Sequence, residues 1–188
     1  MSGAARLIAL DHRLFRQLNS VWTNPVLDRL MPFLTDLDRS HVAVFLVLPA
    51  LVAFWLWRDR KNGPRAALAV AAAVGAADAI CHLILKPWVH RLRPEFGEAM
   101  TVLRTGGHSK FGFPSNHAAN SFAAAVVLGY AYPRMKLPSL LIATVIAYSR
   151  VYVGAHYPAD VVGGALVGAA FGALAAAALS RRGGKPIP

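Results

Sequence analysis

Three short strings hold nearly all the residues whose types and spacing suit chemistry: KPWVHRLRP (86–94), FGFPSNH (111–117) and SRVYVGAHYPAD (149–160). Lys86, Arg93 and Arg150 can neutralise and orient the nonbridging oxygens of a phosphoryl group, arginine supplying a planar fork of donors. Ser115 adds a hydroxyl. Backbone N–H groups around Asn116 and His117, at an expected helix start, form an anion nest. Pro114 ahead of a serine cap suits that entry. His117 and His156 match phosphoryl transfer through a covalent intermediate, in which one imidazole attacks and the other protonates the leaving oxygen. Asp160 follows His156 by four residues, so its carboxylate can fix the tautomer and support the imidazolium. Residue types and spacing leave open which histidine attacks.

Taken singly, each residue has a plainer use. A lysine or arginine at the end of an apolar run is usually a lipid-headgroup anchor, a serine or asparagine at a helix start is usually a cap, and a histidine there touches headgroups. Convergence of such groups from three segments on one inferred face favours the chemical reading. Asp78, His82 and Lys86 form a stripe on one apolar run, and an ionisable residue inside a membrane span faces a cavity or a partner. Asp78, His82, Asn120 and Ser149 are therefore expected behind the phosphate site. His90, Arg91, Arg104, His108 and Lys110 are expected at the headgroups or the bilayer surface.

The elements that position these strings are apolar. The chain has 188 residues, 56% hydrophobic and 15% charged, with mean hydropathy +0.44. Soluble domains carry about 25% charged residues. The formal net charge of +11 would suggest nucleic acid in a soluble protein, but here the basic residues sit mainly between apolar runs, where they anchor loops and set topology. The single cysteine, Cys81, excludes an internal disulfide, and no zinc or iron–sulfur spacing is present. Asp11, His12, Arg13 and Arg16 interrupt any signal-peptide core.

Apolar stretches at roughly 41–57, 66–85, 117–132, 137–153 and 161–179 predict an all-α polytopic membrane helical bundle of about five transmembrane helices. Gly164, Gly168 and Gly172 at four-residue spacing predict close helix contact. Residues 1–39 read as an interfacial amphipathic N-terminal segment, with packing on the bundle as the alternative. Residues 40–180 form the catalytic membrane domain, and 181–188 a short basic tail. The basic segments 58–65 and 133–136 and the tail place one face in the cytoplasm. The chemical strings then lie on the periplasmic or exterior face of a bacterial inner membrane.

The three strings together resemble the tripartite signature of the type 2 phosphatidic acid phosphatase superfamily. Lysine, six residues, then arginine–proline is met by Lys86, Arg93 and Pro94. Proline–serine–glycine–histidine is matched by Pro114, Ser115, Asn116 and His117, with Asn116 in place of the usual glycine. Serine–arginine, five residues, histidine, three residues, aspartate is met by Ser149, Arg150, His156 and Asp160. The resemblance implies a metal-independent lipid phosphatase without cofactor. It makes His156 the nucleophile that becomes phosphohistidine, held by Asp160, and His117 the acid for the leaving group. Lys86, Arg93, Ser115, Asn116 through its amide, and Arg150 then hold the phosphate.

The expected substrate is a membrane lipid phosphate or diphosphate, undecaprenyl diphosphate first, with phosphatidylglycerophosphate, phosphatidate and lipid A as alternatives. A vanadium haloperoxidase, which uses the same anion cage, does not suit a chain dominated by membrane spans. A non-enzymatic lipid-binding or transport protein is the competing class. No nucleic-acid partner is expected.

Overall fold

The computed structural model describes residues 2–37, 45–46, 48–106 and 109–181. Among these the fold is all-α: α1 (Gly3–Arg16), α2 (Pro25–Thr35), α3 (Leu48–Arg58), α4 (Gly63–Ala79), α5 (Lys86–Val89), α6 (Pro94–Gly97), α7 (Asn116–Ala131), α8 (Lys136–Tyr152) and α9 (Pro158–Arg181). The one extended pairing among them is an isolated antiparallel bridge between Leu92 and Phe111.

Helices α4, α7, α8 and α9 make the bundle. Their contact surfaces are built from small side chains: Ala69, Ala73 and Ala77 of α4 bury against Ala119, Ala123 and Val127 of α7, with Val167 and Phe171 of α9 closing the cluster. Lipid supplies no hydrophobic drive between helices, so close backbone approach and dispersion must hold them. The glycine stripe of α9 does this on α7. A Cβ at Gly168 would stand 2.0 Å from the Ala119 carbonyl oxygen, and one at Gly164 would stand 2.3 Å from that of Ser115.

Helices α4 and α5 belong to one helical run, Gly63–Val89, of 27 residues. It widens to a π-turn over Ile80–Leu85, where the Lys86 N–H donates to the Cys81 carbonyl. Pro87 explains the widening, because its ring has no N–H to give and would collide with the carbonyl four residues back. This run and Pro158–Arg181, of 24 residues, are each long and apolar enough to cross a membrane. The described helices α3, α7 and α8 have 11, 16 and 17 residues. Part of the expected 41–57 stretch, residues 41–44 and 47, lies outside the described residues, as do His108 and residues 182–188 of the basic tail. At one end of the bundle the Tyr132 hydroxyl donates to Asp59 Oδ2 at 2.7 Å and accepts from Trp55 Nε1 at 3.0 Å. This ties together the two basic turns expected to share a face.

The N-terminal helices pack with an inverted amphipathicity. Asn24 caps α2, accepting from the N–H groups of Val26 and Leu27, with Pro25 leading the helix. In α1 the inward residues are Asp11 and Phe15, followed by Asn19 in the π-turn Gln17–Val21. Leu7, Leu10 and Leu14 face outward and are exposed. Apolar surface is stable against lipid, whereas a buried carboxylate or carboxamide needs polar partners. Asn19 is fully buried and finds them, donating to the carbonyls of Val102 and Tyr152 and accepting from the Val102 N–H.

Candidate active site

The site lies at the junction of the 90–115 connection, the start of α7, the end of α8 and the α8–α9 turn. The His90 left-handed cap (φ 53°) ends the α4–α5 run, and the chain doubles back through Arg91–Arg93. Arg93 N–H donates to the Lys110 carbonyl, and the Arg91 carbonyl accepts from Gly112. After α8 the backbone reverses at Gly154 (φ +86°), where a side chain would meet both the strain of that conformation and the Val102 carbonyl. The reversal presents His156 inward, 1% exposed.

His156 Nε2 lies 2.8 Å from Arg93 Nη1, which also donates to the Ala155 carbonyl. Its Nδ1 faces Asp160 Oδ2 at 3.5 Å, and that oxygen accepts from the Tyr157 N–H at 3.0 Å. With an arginine donor at Nε2, the ring proton belongs on Nδ1 toward the carboxylate, and the Nε2 lone pair points into the basic cluster. Burial first, then the charges of Arg93, Arg150, Lys86 and His117, holds the imidazole well below its ordinary range. His156 is therefore neutral at pH 7, as a nitrogen nucleophile must be.

Ser115 occupies the N-cap place of α7 without acting as a cap, since its side chain makes no bond to the helix. Its hydroxyl is buried and without a protein partner among the described residues. Its N–H donates to the Asp160 carbonyl at 2.9 Å, which joins the α7 start to the α9 start. Arg150, 2% exposed, donates from Nη1 to Thr35 Oγ1 at 2.7 Å, and the neighbouring Ser149 hydroxyl donates to the same oxygen at 3.2 Å.

The structure thus brings Lys86, Arg93, Ser115, His117, Arg150, His156 and Asp160 into one cluster. Asn116 sits beside it with a different commitment: its Nδ2 donates to Asp78 Oδ1 at 2.7 Å, and Asn120 Nδ2 donates to the same oxygen at 3.0 Å. His82 and Lys86 lie close enough to Asp78 to act on its charge. Ser149 stands behind Arg150 through Thr35.

Three supporting residues escape a reading of the sequence. Arg91, expected at the bilayer surface, instead donates from Nη1 to Asp160 Oδ1 at 2.9 Å, bonds Asp11 through Nη2 and lies over the Tyr157 ring. Asp11 also accepts from the Ala159 N–H at 2.8 Å. Thr35 has no signal beyond being a hydroxyl in an apolar helix. For Asp11 a signal exists: an acid on an apolar amphipathic helix beside a basic protein calls for a partner.

A family model described as the PAP2 superfamily matches residues 66–183, well over half the chain and all three strings. The chain belongs to the PAP2 superfamily. The chain is 37% identical to a decaprenylphosphoryl-5-phosphoribose phosphatase of Mycobacterium tuberculosis, over 72% of this chain and 71% of that one. It is 36% identical to a lipid A 4'-phosphatase of Bacteroides thetaiotaomicron over 54% of this chain, a match that spans about half (48%) of that relative. The crystal structure of Aquifex aeolicus LpxE superposes with a TM-score of 0.69 at 27% identity, covering 88% of this chain and 94% of that one. As a PAP2 member of this kind the chain is a hydrolase of the membrane lipid phosphatase class, integral to the bilayer and acting on a lipid-borne phosphate or diphosphate.

Proposed function

We propose that the protein removes a terminal phosphate from a polyprenyl-linked lipid, undecaprenyl diphosphate first, through a phosphohistidine on His156. The observation that carries this reading is the disposition of His156: Nε2 against Arg93 Nη1, with the charges of Arg150, Lys86 and His117 acting on the ring, and Nδ1 toward Asp160. In the first step Nε2 bonds to phosphorus as the bond to the leaving oxygen breaks, and His117 gives that oxygen its proton. In the second, His117 takes a proton from water, the hydroxide oxygen bonds to phosphorus and the P–N bond breaks to restore His156. Lys86, Arg93, Arg150, the Ser115 hydroxyl and the Asn116 N–H balance the charge on the three equatorial oxygens. Asp160 keeps the Nδ1 tautomer and stabilises the ring as it becomes cationic.

The polyprenyl preference is supported by the relative that acts on a decaprenylphosphoryl lipid and matches most of both chains. Lipid A is the second reading, favoured by the shorter match to a lipid A 4'-phosphatase. Five spans, with the site opening to the exterior, complete the proposal. They rest on the alternation of apolar stretches and on the basic turns at 58–65 and 133–136.

The test is phosphate release by the purified chain in detergent with EDTA, using undecaprenyl diphosphate, phosphatidylglycerophosphate, phosphatidate and lipid A. The expected result is turnover of the diphosphate with trapping of an acid-labile, alkali-stable phosphoprotein, both absent in His156→Gln. Full turnover by His156→Gln would end the histidine mechanism. Failure of every lipid with folded protein would favour a binding or transport role.

A further inference from the structure

Asp160 uses its two oxygens for different purposes. Oδ2 faces His156 and accepts from the Tyr157 N–H, while Oδ1 is bonded by Arg91 Nη1 at 2.9 Å. The carboxylate is fully enclosed, and Arg91 is 24% exposed. The other end of the same guanidinium is bonded by Asp11 of α1, whose second oxygen accepts from the Ala159 N–H at the start of α9. The plane of the guanidinium is held over the Tyr157 ring, 4.4 Å from its centroid, and Tyr157 in turn packs on Phe15 and His12 of α1. One arginine therefore ties the N-terminal helix, the 90–115 connection and the first turn of α9 to the carboxylate behind His156.

We infer that Arg91 is a positioning residue for the phosphoryl transfer, fixing Asp160 against His156 from a seat that Asp11 of the N-terminal helix provides. The inference rests on the proposed role of His156 as nucleophile. A planar fork bridging two carboxylates holds both in place, and an ammonium, as a point charge on a flexible stem, does not. An enclosed carboxylate that loses its cation is left uncompensated. It then ceases to steady the imidazole through the reaction. The charged groups acting on Asp160 are Arg91, Asp11 and Arg93, with His156 on its other oxygen.

The experiment compares wild type, Arg91→Gln, Arg91→Lys, Asp11→Asn and His156→Gln, each as the full chain in detergent. Undecaprenyl diphosphate is the substrate, followed across pH 4–9 with thermal midpoints measured alongside. Arg91→Gln is expected to lower kcat about 10- to 100-fold, the scale seen when a hydrogen-bond partner behind a metal ligand is removed, with KM within a few-fold. Its acid limb should also move to higher pH. Arg91→Lys should leave the acid limb in place, because the charge remains, while kcat still falls. Asp11→Asn should lower kcat in the same direction as Arg91→Gln but by less, because the guanidinium loses the carboxylate that seats it; wild-type kcat in folded Asp11→Asn would overturn the seat. Wild-type kcat and an unmoved acid limb in folded Arg91→Gln would overturn the inference. So would a loss confined to thermal midpoint and KM. If Arg91→Gln does not fold, Arg91→Lys decides: reduced kcat at wild-type KM supports the role, and wild-type kcat overturns it. Activity surviving in His156→Gln would instead show that the nucleophile assignment itself had failed.

Discussion

Asn116 turns its side chain onto Asp78, donating from Nδ2 to Oδ1 at 2.7 Å across the α4–α7 contact. This accounts for an asparagine where the family signature usually has glycine. The side chain closes a polar seam between two helices, which leaves the backbone N–H for the phosphate nest proposed above. Asn120 shares the same oxygen one turn on, so Asp78 keeps a donor if Asn116 is lost. Asn116→Gly is therefore expected to keep kcat within about threefold while lowering stability by about 1.5–3 kcal/mol, the worth of one hydrogen bond to a charged group. Asn116→Asp should be far worse, because it sets two carboxylates face to face. Initial rates and thermal midpoints of the two variants read this directly.

Thr35 reaches the site from α2, an element outside all three signature strings. Its hydroxyl oxygen accepts from Arg150 Nη1 at 2.7 Å in a buried position. Thr35→Val keeps the shape and removes the acceptor, so Arg150 loses a charge-assisted bond worth about 1.5–3 kcal/mol. The expected outcome is a rise in KM of about tenfold or more, with Thr35→Ser close to wild type. An unchanged KM in Thr35→Val would show that Arg150 is held adequately without α2.

The α9 glycines set the spacing of the bundle and, at one of them, the position of the chemistry. Gly168→Ala drives a methyl against the Ala119 carbonyl, and Gly164→Ala drives one against that of Ser115. Each should destabilise the fold by about 1–3 kcal/mol, the usual cost of overpacking. Gly164→Ala should in addition lower kcat beyond what its stability loss explains, because Ser115 moves with it. Comparing both variants at equal distance below their thermal midpoints separates the two effects.

Burial and the surrounding cations hold His156 below its ordinary range, which gives a sign for stability against pH. The unfolded chain binds a proton at this position near pH 6.5, and the folded chain does so only at lower pH. In that window the unfolded state carries more protons, so stability falls as pH drops below about 6.5. Asp160, raised by burial, acts with the opposite sign over part of this window. The test is therefore the difference: the thermal midpoint of the wild type should fall more steeply on acidification through about pH 6.5–5 than that of His156→Gln. For the same reason His156 does not limit activity until well below pH 6.5.

Much of the site was legible because phosphoryl chemistry restricts residue types tightly. Lys86, Arg93, Ser115, His117, Arg150, His156 and Asp160 stand out by charge and nucleophilicity in a chain where such groups are expensive. Their spacing within each string is local, so a helix turn or a loop is enough to relate them. The membrane character was legible too, because apolar runs of bilayer length need no tertiary information to be recognised.

The tertiary structure alone decided how the strings are braced. Arg91 and Asp160 are 69 residues apart, Arg91 and Asp11 80, and Arg150 and Thr35 115. Sequence patterning carries no distance information at those separations. The inward face of α1 also ran against the usual expectation that apolar residues point to the core. With lipid outside and a polar site inside, Leu7, Leu10 and Leu14 face out and Asp11 faces in. The sequence by itself determined which residues are candidates to act on a phosphate and that the chain belongs in a membrane. Only the fold determined which carboxylate, arginine or hydroxyl steadies each of them, because that depends on desolvated contacts made between helices that are remote in the chain.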